Sequence, residues 1–215
     1  MKGLLIKDFK MLKSQKQFFA VITLISILFL VTYNNMSFVI SYITIVCSMF
    51  GITSLSYDEA GNGLAYLFSL PFERKTYVVE KYVFSFLLLF MGWGVITVLS
   101  VIVSFFRGME FNAWEMGAAS LSVIILSVLF LSVSFPIEFK FGAEKGRIGF
   151  IAIFALFFVG FYYLAKIASL EPAELLDKLL SFPVTVVVAA LCALCIVAVG
   201  ISVAISVRIV TNKEF

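Results

Sequence analysis

The chain has 215 residues, 62% of them apolar and only 13% charged, with a formal net charge of +3; a water-soluble fold, in which about half the residues are apolar, could not hide that much hydrocarbon surface. Its 16 basic and 13 acidic residues cluster between apolar runs, and no basic stretch is interleaved with aromatic residues on a polar segment, which argues against nucleic acid as a partner. Cys47, Cys192 and Cys195 lie inside apolar runs and give no disulfide framework; with no histidine in the chain, Cys192 and Cys195 read as packing residues rather than a redox or metal pair.

Residues 1–17 carry Lys2, Lys7, Lys10, Lys13 and Lys16, with Leu5, Phe9 and Leu12 at i, i+4 and i+7. This predicts a basic amphipathic helix on the membrane surface. No small-residue cleavage site follows it, so it is read as retained rather than as a signal peptide. Six apolar runs then predict spans at about 18–33, 36–55, 82–106, 116–135, 148–165 and 183–207. The first is the shortest, and Asn34 and Asn35 form a tight turn to the second. The expectation is an all-α integral membrane protein with six transmembrane helices, folded as one domain over 1–215. In the last run, Ala189 with Ala193 and Gly200 with Ala204 are small-residue pairs that permit close helix approach.

Orientation follows from the basic residues. The N-terminus, the loop with Arg74, Lys75 and Lys81, the loop with Lys140, Lys145 and Arg147, and the tail with Arg208 and Lys213 hold 13 of the 16. The opposite loops hold only Arg107, Lys166 and Lys178. Cytoplasmic loops keep the excess of Lys and Arg, so both termini are expected in the cytoplasm.

The runs contain no ionisable side chain away from their ends, which disfavours an ion-coupled carrier, and they supply no nucleophile with a base. No phosphate-binding GxxxxGK[ST] loop is present; Gly61, Gly63, Gly142 and Gly146 are loop glycines. The chain is therefore not expected to be an enzyme, and it is expected to hold no cofactor of its own.

The first cytoplasmic loop is the most informative segment. Asp58 and Glu59 precede Leu64, Leu67 and Phe68 at i, i+3 and i+4, and Pro71 ends the pattern. This predicts a short helix outside the bilayer, lying on lipid or fitting a groove on a soluble partner. Glu73, Arg74 and Lys75 open a helix that continues into the third span. Before the last span, Ser169 can cap a helix with Leu175, Leu176, Leu179 and Leu180 on one face, opposite Glu174 and Asp177.

Two stretches, DEAGNGLAYLFSLPFERKTYVVEKY at 58–82 and PIEFKFGAEKGR at 136–147, with the six-run plan around them, resemble the permease subunits of small bacterial type-two ABC exporters. The resemblance implies a multi-pass protein of the bacterial plasma membrane, with the N- and C-termini cytoplasmic. Two permeases, identical or related, would assemble with two ATPase subunits that carry ATP and Mg. Asp58, Glu59, Leu64, Leu67, Phe68, Pro71, Arg74 and Lys75 would form the coupling helix that docks on the ATPase. Lys140, Glu144, Lys145 and Arg147 would make a second cytoplasmic contact, and the helix with Leu175, Leu176, Leu179 and Leu180 would be an extracellular gate element. The function implied is half of a pathway for ATP-driven export of a hydrophobic or amphipathic cargo such as a peptide. A non-transporting immunity or sensor protein that binds a cytoplasmic partner is the alternative.

Overall fold

The computed structural model describes residues 1–32, 36–60, 63–108, 113–167 and 184–213, and all of the regular structure among them is helical. The elements are α1 (Lys2–Ser14), α2 (Lys16–Thr32), α3 (Met36–Glu59), α4 (Gly63–Phe68), α5 (Arg74–Phe106), α6 (Ala113–Ile167) and α7 (Val184–Asn212). Four stretches are long and apolar enough to cross a membrane: α3, α5, Met116–Gly142 within α6, and Val186–Asn212 within α7. A fifth arises if α1 and α2, bent by 65° at Gln15, count as one broken span. The predicted turn at Asn34 and Asn35, Gly61, and the predicted helix between Ser169 and Leu180 lie outside the described residues.

α3 is the centre of the bundle, with 56% of its apolar stretch buried by other helices, whereas only 11% of that of α7 is covered within the chain. α3 and α5 run antiparallel at close range because small residues meet at the crossing. A Cβ at Gly92 would lie 2.6 Å from Cys47 Sγ, and one at Gly51 would collide with Ser85. Further along the same seam, Ser54 faces Lys81 and Asp58 faces Tyr77. The small residues of α7, Ala189, Ala193, Gly200 and Ala204, are all exposed and make no close helix approach among the described residues.

Sequence reasoning ends the fourth span at Phe135 and puts 136–147 in a loop, but the helix continues through Pro136 and breaks only at Gly142. Proline cannot donate to the carbonyl four residues back. Here the Ser202 hydroxyl of α7 donates to that orphaned Ser132 carbonyl at 2.5 Å. The same hydroxyl meets Tyr82 of α5, whose phenol also reaches Ser206 at 2.9 Å, so three helices are joined by one buried polar thread. Gly142 has φ 78° and ψ 168°, a region essentially reserved for glycine. The chain doubles back there: a Cβ on Gly149 would lie 3.1 Å from Ile137, although twelve residues of straight helix would span about 18 Å.

Candidate functional site

The apolar face that the spacing of α1 picks out does pack inward, with Leu5 and Leu12 half-buried against the cluster of Phe50, Phe84 and Leu88, but the most deeply buried residues lie beside it. Leu4 and Asp8 are buried and Met11 is half-buried, while Phe9 is exposed at its edge and packs against Phe84 of α5. Leu4 joins the main apolar core with Leu55, Leu67 and Tyr77. One turn on, Asp8 enters the bundle with none of its surface exposed. A carboxylate so placed needs a partner of opposite charge, and Lys81 of α5 supplies it.

The sequence places Lys81 with the basic residues of the first cytoplasmic loop, but in the structure it is wholly buried. Its ammonium reaches Asp8 Oδ2 at 2.5 Å, Ser54 Oγ at 2.6 Å and Asp58 Oδ2 at 2.7 Å. Three protons thus serve three acceptors. The Ser54 hydroxyl donates a hydrogen bond to Asp8 Oδ2 at 3.0 Å, and the Tyr77 hydroxyl donates to Asp58 Oδ2 at 3.1 Å. From the rim, Lys7 closes the cluster on Asp58 Oδ1 at 2.5 Å and Asp8 Oδ1 at 3.2 Å. Burial opposes the Lys7 charge, but the hydrogen bond and charge of Asp58, with Asp8 behind it, outweigh that and hold its pKa above the usual lysine value. Glu80, beside Lys81 on α5, is also buried.

The predicted coupling helix forms as α4, directly after this cluster. Leu67 is buried, and Leu64 and Phe68 pack on the same core, so the apolar face is turned into the chain's own bundle. Phe68 lies edge-on to Tyr77, 5.3 Å between centroids, beneath the Arg74 guanidinium. Arg74 also donates to the carbonyls of Val210, Thr211 and Lys213 at 3.1, 3.0 and 2.8 Å, capping the C-terminal end of α7 where a cation is favoured. What α4 and the turn after it present outward is Tyr66, 74% exposed, with Leu70, Pro71, Glu73 and Lys75.

The second predicted contact lies at the same end. Lys140 and Lys145 are exposed, and Glu59 sits against Gly142; the side chains of Glu144 and Arg147 lie outside the described part of the chain. Lys213 donates to the Phe139 carbonyl at 3.2 Å, next to the Gly142 break. α1, the α3–α5 connection, the Gly142 turn and the end of α7 therefore converge at one end of the bundle. Arg107 marks the other end, where it caps α2 through the Leu30 carbonyl at 3.0 Å. Leu175, Leu176, Leu179 and Leu180 lie outside the described residues. Among those described, no group of three or more His, Cys, Asp or Glu side chains could hold a metal ion.

The family model of ABC-2 family transporter proteins matches residues 3–211, nearly the whole chain. The chain belongs to that family. No curated protein and no solved structure matches it. As an ABC-2 permease it is a multi-pass membrane transport subunit that works with an ATPase subunit, and the match does not favour a non-transporting immunity or sensor role.

Of the permease's buried cluster, the sequence expectation includes Asp58 as a site residue and Lys81 only as a loop cation, and it does not join them with Asp8, Ser54 and Tyr77. Two signals were there. Asp8 is the only acidic residue in a helix of lysines, and Ser54 with Asp58 and Tyr77 with Lys81 are i, i+4 pairs at the ends of two adjacent runs.

Proposed function

We propose that this permease is a six-span subunit that forms half of an ATP-driven export pathway, with its charged end in the cytoplasm against the ATPase. The observation that carries this reading, beyond membership of the family, is the convergence of α1, α4, the Gly142 turn and the α7 terminus at one end. Those segments bear most of the basic residues, as expected on the cytoplasmic side. The fifth span would be the helical stretch that returns from Gly142 to Ile167. The first would be α2, whose 17 residues reach about 26 Å, a little short of the hydrocarbon layer, with the bend into α1 making up the difference.

In this reading the ATPase meets the outward side of the docking segment, at Tyr66, Leu70, Pro71 and Lys75, with Lys140 and Lys145 as a second contact. Leu64, Leu67 and Phe68 hold the segment in place from within. A second permease chain, identical or related, completes the pathway, and the apolar span surfaces suit a hydrophobic or amphipathic cargo such as a peptide. The test is reconstitution of permease and ATPase in proteoliposomes, scoring ATP-dependent movement of a fluorescent amphipathic peptide. The permease alone hydrolyses no ATP, and the pair does so while moving the probe. Hydrolysis by the pure permease, or a carrier activity driven by an ion gradient without ATPase, would contradict the reading.

A further inference from the structure

An unbroken line of contacts leads from the docking segment to the N-terminal helix. Phe68 of α4 lies on Tyr77, Tyr77 donates to Asp58, Asp58 pairs with Lys81, and Lys81 pairs with Asp8 of α1. Stability alone does not call for such charges, because a buried ion pair can often be replaced by apolar residues of similar volume without loss. What the charges supply is direction and length. One ammonium committed to acceptors on two helices fixes how α1 sits over α3 and α5, and charges this deeply buried do not separate readily. Apolar contacts in its place would let the helices slide.

We infer that Lys81 is a positioning residue that ties α1 to the docking segment, so that a displacement of α4 by the ATPase moves α1 with it. The inference rests on the docking role proposed above. Nothing in it requires the cluster to touch cargo or nucleotide.

The test uses the permease–ATPase complex in lipid nanodiscs, with Cys47, Cys192 and Cys195 replaced by alanine and an environment-sensitive dye on Ile6→Cys. Ile6 is 58% exposed on the outer face of α1. ATP with Mg should change the dye signal in the otherwise unaltered chain. The variant Asp8→Asn/Lys81→Met removes one charge of each sign and leaves Asp58 paired with Lys7. It should still bind the ATPase and hydrolyse ATP within about twofold, while the ATP-linked signal falls at least about fivefold. A purely structural role would leave that signal intact in a folded complex, and a full-sized signal overturns the inference. Should the double variant not be recovered, Asp8→Asn alone decides, since it keeps the shape and an acceptor for Lys81; a reduced signal supports the coupling and an undiminished one overturns it. If the ATPase binds and turns over while α1 stays silent in the unaltered chain, this inference fails alone. If no ATPase binds, the docking role fails and the inference with it.

Discussion

Leu67 and Tyr66 are neighbours on α4 that face opposite ways, one buried against Leu4 and Leu55 and the other 74% exposed. Their substitutions should separate stability from docking. Leu67→Asp puts a charge into the core and should cost about 3 kcal/mol or more, seen as lost yield and a lower melting temperature in detergent. Tyr66→Asp should leave both unchanged and reduce co-purification of the ATPase; the reverse pattern would show the faces to be misassigned. The spacing of Leu64, Leu67 and Phe68 made the apolar face legible in the sequence. Its target was not, because an apolar stripe suits a partner's groove and the chain's own core equally. Gly142 makes a second prediction at this scale. Alanine there would adopt a conformation that costs about 1–3 kcal/mol and would bring its Cβ to 3.1 Å from Glu59, so Gly142→Ala should lower the melting temperature clearly. An unchanged melting curve would mean that the turn is not held this way.

At the scale of elements, four of the six predicted runs fall in helices long and apolar enough to cross a membrane, and the sequence is less informative about which side of each helix turns inward. In α1, Leu5, Phe9 and Leu12 pack toward the bundle as their spacing predicts, yet the wholly buried side is that of Leu4 and Asp8. What decides the register is Asp8, and its partner Lys81 is 73 residues away. Local pattern marks Asp8 as the odd residue of its helix but does not say which distant charge it meets. The same holds for α6, where Pro136 signals a helix end by every local rule, and the helix survives because a serine of α7 takes over the missing donor's role. Ser202→Ala should therefore cost about 1–2 kcal/mol by leaving the Ser132 carbonyl unpaired. Adding Pro136→Ala should restore a backbone donor to that carbonyl and recover most of the loss, as thermal unfolding would read. Strictly additive effects of the two changes would dismiss this account of the kink.

For the whole molecule, among the described residues the split between basic and nearly basic-free segments corresponds to two physical ends of the bundle, one marked by Arg74 and Lys213 and the other by Arg107. Impermeant thiol reagents outside intact cells should label Trp114→Cys and spare Tyr66→Cys; the opposite pattern would invert the topology. The most direct test of the central claim, that an ATPase docks at the charged end, is photo-crosslinking in native membranes from benzoylphenylalanine placed at Tyr66 or at Trp114. The account predicts a crosslink to the ATPase from position 66 and none from position 114. An ATPase adduct from 114, or its absence from 66 while permease and ATPase still co-purify, would contradict it.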